Sequence, residues 1–217
     1  MIVEFSRVQI LLYFNMEYYD MVQLKIKSKN LRKQIILQEA EKLLIENKQD
    51  INMDILARRL HVAKGTIYRY FPDKNNLLFH LLLENEAALL DITHKYQKNL
   101  KNFIIAYMNY NLRNSYKIVL LHQIEEILSD VFTSHQFLEL YHLREQRILT
   151  LKGTTQAHLL KCKSTLSIRD YLSYIWSMTY GAALLLNSSF YQKNIHNNEV
   201  FIQNNIQHVL FVGKFIS

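Results

Sequence analysis

Hydrophobic residues recur along most of the chain with the period of an α-helix. Between Lys29 and Asn47, for example, Ile36, Ala40, Leu43 and Leu44 fall on one helical face, and charged residues occupy the others. The same spacing predicts further helices at Met53–Leu60, Lys64–Phe71, Lys74–His94, Asn99–Asn114, Ser115–Asp130, Ser134–Leu151, Thr155–Lys161, Ser167–Tyr191 and Asn198–Lys214. Four glycines and one proline in 217 residues are too few for the turns of a many-stranded β fold, so an all-α fold is predicted.

The breaks in this pattern predict the loops. Asn47–Asp50 is a polar break, and Asn52 after it has a side chain suited to cap the next helix. Lys152–Thr154, which contains a glycine, and Lys193–Asn198 are the clearest loops in the remainder. Pro72 is expected to end the helix before it, because proline disfavours helical backbone at the preceding residue.

The charge is concentrated in one part of the chain. The net charge is +7, and the stretch from Lys25 to Lys74 carries 12 basic and 6 acidic residues, a net charge of +6. A local excess of this kind is typical of a surface that binds nucleic acid, although a solvated basic surface has the same composition.

Two short helices joined by a three-residue turn lie inside this basic stretch. The turn is His61-Val62-Ala63, and an apolar set is predicted to face inward: Leu56, Ala57, Leu60, Val62, Ile67 and Phe71. The second helix then presents polar and basic side chains outward: Lys64, Thr66, Tyr68, Arg69 and Tyr70. Such a helix fits the major groove of DNA, where Lys, Arg, Thr and Tyr contact bases and phosphates. We therefore predict a helix-turn-helix at Asn52–Lys74.

Other chemistries lack their signatures. The sequence shows no glycine-rich phosphate loop and no recognisable set of nucleophile, base and acid, so we predict that the protein is not an enzyme and has no cofactor. Nine histidines are spread without the spacing of a zinc site, so no metal is expected. The one cysteine, Cys162, excludes a disulfide within the chain and favours a reducing, cytoplasmic location.

The segment from Asn52 to Leu77 resembles the DNA-binding domain of the TetR family of transcriptional regulators. The specific part is Lys64 to Leu77, where Gly65, Tyr68, Tyr70-Phe71 and Lys74 fall on the family pattern. The likeness is close over about 50 residues, and further on it extends only to the order of helices and total length. It implies an N-terminal three-helix DNA-binding domain followed by a helical effector-binding and dimerisation domain. The predicted domains are 1–24, an extension of uncertain status with no signal-peptide pattern, then 25–74 and 75–217.

The resemblance also implies roles for individual residues. Those expected to bind DNA are Asn52, Lys64, Gly65, Thr66, Tyr68, Arg69, Tyr70 and Lys74, with Lys74 holding a phosphate from the start of the following helix. The chain departs from the pattern at the turn, where Leu60-His61 replaces the usual Ala-Gly. Because histidine adopts positive φ less freely than glycine, we expect a slightly reshaped turn or one strained by about 1 kcal/mol.

The remainder of the chain is predicted to dimerise and to bind an effector. The uncharged stretch Tyr171–Gln192, with Gly181 among small residues, and the last helix are the expected homodimer interface; plain core packing is the alternative. The resemblance implies a small apolar or cationic effector, and the aromatic residues that could line its site are Phe103, Tyr107, Tyr110, Tyr141, Trp176 and Tyr180.

The predicted function is a ligand-responsive transcriptional repressor of the TetR type that binds a palindromic operator as a homodimer. A TetR-like DNA-binding protein without a small-molecule effector, either nucleoid-associated or partnered by another protein, is the first alternative. A membrane-associated helical protein using Tyr171–Gln192 is the second, but the polar residues in that stretch disfavour it as a membrane span.

Overall fold

The computed structural model describes residues 28–46, 51–195 and 197–215, and their regular structure consists of helices without a β-strand. The prediction of an all-α fold is therefore confirmed. The chain divides into two compact units, one ending at Asp73 and the other beginning at Lys74. The extension at 1–24 and the polar break at 47–50 lie outside the described residues.

The described part of the first unit contains three helices. Helix α1 occupies residues 28–46, α2 is Met53–Arg59 and α3 is Lys64–Tyr68. Helix α2 begins after Asn52, whose side chain caps it. Asn52 Oδ1 accepts hydrogen bonds from the backbone N–H groups of Asp54 at 2.9 Å and Ile55 at 3.2 Å. These N–H groups lie in the first turn, where the helix itself supplies no acceptor. The predicted cap at Asn52 is confirmed.

The apolar side chains of this unit are buried on the faces that the spacing predicts. The buried set in the described part of the unit is Ile36, Leu37, Ala40, Leu43, Leu44, Ile51, Met53, Leu56, Ala57, Ile67 and Phe71. Two members of the predicted inward set differ: Leu60 is only half-buried, and Val62 is 37% exposed because it lies in the turn after α2. The predicted inward orientation of Val62 is wrong.

The second unit contains seven helices within the residues described. They are α4, Lys74–Tyr96; α5, Leu100–Arg113; α6, Ser115–Ser129; α7, Ser134–Lys161; α8, Ile168–Asn187; α9, Ser189–Gln192; and α10, Asn198–Phe215. The buried side chains of α4, α5, α7, α8 and α10 form one core that includes Phe103, Met108, Leu151, Ile175 and Ile206. None of the helices in the described ranges is long and apolar enough to cross a membrane.

The predicted loop at Lys152–Thr154 is wrong, because α7 continues through it to Lys161. One glycine inside a helix costs only about 1 kcal/mol relative to alanine. Leu151 and Thr155, which flank the segment, are both buried, so packing on that face offsets the cost. The helices predicted at Ser134–Leu151 and Thr155–Lys161 are therefore one element.

The long helix predicted at Ser167–Tyr191 is divided at its end. Ser188 adopts extended backbone, with φ −82° and ψ 117°, and its hydroxyl accepts a hydrogen bond from the backbone N–H of Tyr191. A serine with this geometry caps a new helix, so α8 stops at Asn187 and the short α9 follows.

Candidate nucleic-acid interface and ligand cavity

The turn between α2 and α3 has a regular geometry that places His61 at positive φ. The N–H of His61 donates to the carbonyl of Arg58 at 3.1 Å, and the N–H of Val62 donates to that of Ala57 at 3.0 Å. This pair of bonds is the Schellman motif, which requires the residue after the cap to be left-handed. His61 has φ 52°, so the strained form of the turn that the sequence led us to expect is the one observed.

Replacing His61 with glycine is therefore expected to stabilise the protein by about 0.5–1 kcal/mol, because glycine adopts this backbone without a Cβ clash. Lys163 provides a matched control, since it also has φ 52° and ends α7 with the same pair of bonds, Lys163 to Leu160 and Ser164 to Leu159. Thermal and urea unfolding should show a gain for both Lys163→Gly and His61→Gly. A loss of stability in His61→Gly would contradict the strain argument.

Helix α3 presents most of the predicted recognition residues at the surface. Lys64, Gly65, Tyr68 and Arg69 are exposed, and Thr66 and Tyr70 are half-buried. Ile67 between them is fully buried and anchors the helix. The helix ends at Tyr68, three residues before the predicted end, although Arg69 and Phe71 still donate helix-type bonds to Gly65 and Ile67. The structure thus brings the α3 residues together on one short surface segment.

The basic side chains of this unit differ in how they are held. Arg59 joins α2 to α1 through Glu39 and Glu46, and hydrogen bonding to Arg59 lowers the pKa of the Glu46 carboxyl. Lys64 pairs with Asp54 at 2.9 Å, and hydrogen bonding to Asp54 raises the pKa of Lys64. The exposed Arg69 side chain has no ion pair among the residues described, so of these three cations it is the one available to a ligand.

Gly65 is not required by packing within the protein. A Cβ built on this residue meets no other atom within 4 Å, and the backbone φ is not positive. The residue is exposed in the first turn of α3. Because a residue without a Cβ allows close approach of another backbone, this position is compatible with a helix seated in a DNA groove.

Gly65→Ala therefore separates folding from binding. We expect its unfolding temperature to be unchanged or higher, because alanine favours helix more than glycine, and its DNA affinity to fall by about 10-fold, as for other overpacked contacts. Gly153→Ala is the matched control, because Gly153 is also helical with open space around its Cβ position. An unchanged DNA affinity in Gly65→Ala would count against α3 as the recognition helix.

The two remaining predicted DNA-binding residues begin helices. Asn52 is exposed and caps α2, so its Oδ1 is engaged by the backbone of that helix. Lys74 is the first residue of α4 in the second unit and is half-buried.

A large cavity lies within the second unit. Its volume is about 960 Å³, within the range of small-molecule sites. Five of the six predicted aromatic residues line it: Phe103, Tyr107, Tyr141, Trp176 and Tyr180. Tyr110 is not among the lining residues, and its hydroxyl donates at 3.2 Å to Oδ1 of Asn85, which does line the cavity. Burial raises the pKa of Tyr107 to about 12, so this wall residue is a neutral phenol at ordinary pH.

An ionic network that the sequence did not lead us to expect forms part of the cavity wall. Arg144 donates through both terminal nitrogens to Glu125 at 2.7 Å and through Nε to Glu86 at 2.9 Å. Arg147 lies 2.9 Å from the second oxygen of Glu86, and hydrogen bonding from Arg144 lowers the pKa of Glu125. One signal was present in the sequence: Glu86 interrupts the apolar stripe of Leu78, Leu82 and Leu89 on α4.

Helices α8 and α10 pack together and leave an uncharged surface outside, here called the α8/α10 face. It consists of Ser173, Ser177, Gly181 and Leu184 from α8 and Val200, Asn204, Gln207 and Phe211 from α10. Three large apolar residues of these two helices, Leu184, Val200 and Phe211, are 44%, 53% and 58% exposed. A Cβ built on Gly181 meets nothing within 4 Å, so there is open space within the chain beside this residue.

Among the described residues, no three His, Cys, Asp or Glu side chains gather in an arrangement that could hold a metal ion.

Comparison with known proteins agrees with the helix-turn-helix geometry. The family model "Bacterial regulatory proteins, tetR family" matches residues 36–81. A search of curated proteins gives no significant match. Among solved structures, the TetR family transcriptional regulator PfmR from Thermus thermophilus is similar, with a TM-score of 0.63 and 17% identity over 81% of this chain and 96% of that one.

A bacterial regulatory protein of the tetR family from Rhodococcus is similar with a TM-score of 0.65 and 13% identity, over 85% of this chain and 96% of that one. At these identities the two structures show a shared fold, while the match over residues 36–81 covers α2 and α3, on which most of the predicted DNA-binding residues lie. Residues 36–81 thus match the family model for TetR-type regulatory proteins, and the chain shares its fold with two proteins of that family.

Proposed function

We propose that the protein is a cytoplasmic, homodimeric repressor that binds a palindromic operator and releases it when a small molecule occupies the cavity. The observation that carries this proposal is a cavity of about 960 Å³ with both apolar and polar walls in the same chain as a helix-turn-helix. A DNA-binding protein that acts without an effector has no need of such a cavity, and this argues against the first alternative.

Residues 25–74 would form the DNA-binding domain in this proposal, and residues 75–217 the ligand-binding and dimerisation domain. Arg69, Tyr68 and Thr66 would contact the groove and its edges, while Lys64 and Lys74 would contact phosphates. On binding DNA, Lys64 would leave Asp54 and pair with a phosphate instead. Because both side chains are exposed, the ion pair contributes little to stability and breaking it costs little free energy.

The α8/α10 face would be the homodimer interface. One recognition helix contacts too few base pairs to give a useful sequence preference. Two such helices related by the two-fold axis of a dimer read two half-sites about 34 Å apart, or a multiple of this distance. The uncharged, partly apolar surface around Gly181 is suited to self-association, because closely packed interface cores are depleted in charge.

Ligand binding would act through a shift between two populations of the dimer. A ligand that binds one arrangement of the dimer more tightly shifts the equilibrium toward that arrangement. The size of the shift is set by the difference between the ligand's affinities for the two arrangements. Helix α4 supplies Glu86 and Leu89 to the cavity wall and begins at Lys74, directly after the first unit in sequence. It therefore offers a covalent route by which a change at the cavity reaches the DNA-binding domain.

The first test is DNA binding by the purified protein. The affinity for DNA upstream of its own gene should fall steeply between about 50 and 200 mM salt, because phosphate contacts release counterions. Binding that is absent, or that does not depend on salt, would contradict the proposal.

A further inference from the structure

We propose that the N-terminal extension, residues 1–24, packs along the outer face of α1 and covers an exposed apolar stripe there. The stripe consists of Leu31, Ile35 and Ile45. None of these residues belongs to α3 or to the cavity wall. The inference is therefore independent of the proposed function.

Helix α1 carries apolar side chains on two opposite faces. The inner face is buried and consists of Ile36, Leu37, Ala40, Leu43 and Leu44. At 3.6 residues per turn, Ile35 and Ile45 lie within about 40° of Leu31 around the helix axis, whereas Ala40 lies on the opposite side. Leu31, Ile35 and Ile45 are 58%, 46% and 42% exposed.

A single exposed leucine needs no explanation, but three large aliphatic residues on one line of a helix are a pattern. A helix at the surface of a globular protein is ordinarily polar on its outer face, and a helix that is apolar all round is buried. The outer face of α1 therefore indicates that a further apolar segment packs against it.

The N-terminal extension has the composition of such a segment. Sixteen of its 24 residues are hydrophobic (A, V, I, L, M, F, W, Y or C), compared with 49% of the whole chain. They include an unbroken run of five from Ile10 to Phe14. Apolar side chains are stabilised when they leave water for another apolar surface, so the extension and the stripe are complementary.

The extension is also long enough and close enough to reach the stripe. Leu31 and Ile45 are about 21 Å apart along α1, and 24 residues span about 36 Å even at the short rise of an α-helix. Three residues separate the extension from the start of α1 at residue 28, which is enough for a reversal of the chain. A segment tethered so closely has an effective concentration in about the millimolar range, which favours it over a second copy of the protein.

The charges of the two surfaces are complementary as well. Residues 1–24 contain three acidic residues and one basic residue, a net charge of −2, whereas residues 25–33 contain five basic residues and no acidic one. The acidic residues of α1 lie in its second half, and Glu39 and Glu46 there are engaged by Arg59. Opposite charges thus favour the extension beside the start of α1.

Thiol labelling tests the inference. In a Cys162→Ser background, which lacks the native thiol, Ile35→Cys places a thiol on the stripe. Gln156→Cys, exposed on α7, is the matched control. Compared with a chain that begins at Met21, the full chain should react with iodoacetamide about 10-fold more slowly at Ile35→Cys, because the reagent then needs local opening, and equally fast at Gln156→Cys. Equal rates at Ile35→Cys in the two chains would overturn the inference.

A second comparison keeps the chain at full length and does not depend on the folding of the shortened one. Leu11→Asn combined with Leu12→Asn should raise the labelling rate of Ile35→Cys, whereas Asn15→Gln, a change at a polar position of the same segment, should not. No change in the rate with the double variant would overturn the inference. Protection that persists without residues 1–20 and falls on dilution would assign the stripe to a second copy instead.

Discussion

Arg69→Ala is expected to weaken binding to the preferred operator by about 10- to 100-fold, the range for one lost arginine–guanine contact, and to relax the preference at that base pair. The guanidinium of Arg69 is exposed just after α3 and has no ion pair within the described residues. Affinities for the operator and for single-base variants of it, measured by fluorescence anisotropy, give both quantities.

Two further variants distinguish base contact from loss of charge. Lys74→Ala should weaken all sequences to a similar extent and reduce the slope of log K against log salt by about 0.9, the value for one phosphate contact. Arg59→Ala removes the same charge from the first unit as Arg69→Ala, but its guanidinium is held by Glu39 and Glu46, so sequence preference should not change. If Arg69→Ala resembles Lys74→Ala, then Arg69 contacts only the DNA backbone.

Gly181→Leu is expected to weaken the homodimer by about 10- to 100-fold, corresponding to the 1–3 kcal/mol that overpacking costs in a close interface. Inside the chain the first atom of the new side chain is accommodated, since a Cβ at Gly181 has no neighbour within 4 Å. The fold should therefore be retained, and only a partner placed on the α8/α10 face would collide with leucine. Analytical ultracentrifugation across a concentration series measures the shift.

The control for this variant is Gly153→Leu. Gly153 is also helical and open at its Cβ position, but it lies on α7, outside the proposed interface. Replacing glycine with leucine favours helical backbone by a similar amount at both positions. A difference in dimer affinity between the two variants therefore reports the effect of where the leucine lies. Equal dimer affinity in the two variants would place the interface elsewhere on the protein.

The helix-turn-helix could be predicted from the sequence because its determinants are local. The cap at Asn52, the apolar spacing of Leu56 and Ile67 and the end of the helix before Pro72 each depend on neighbouring residues. His61 could also be assessed, since the backbone conformation of a helix end is set by a few consecutive residues. The DNA contacts of these residues stay predictions.

The second unit was less predictable because its features depend on packing between distant helices. Gly153 suggested a loop, but burial of the flanking residues keeps α7 continuous. The pairing of Arg144 with Glu86 joins residues 58 positions apart, and no local pattern indicates which charges will meet. Aromatic residues gave a partial guide, since Tyr107 and Trp176 line the cavity and Tyr110 does not.

Selection of bound duplexes from a random DNA pool tests most directly the central claim, that the chain reads DNA as a symmetric dimer through α3. We predict enrichment of a palindrome whose half-sites are separated by about 34 Å or a multiple of it, and loss of that enrichment in Gly65→Ala. Recovery of a pool with no common sequence would contradict it.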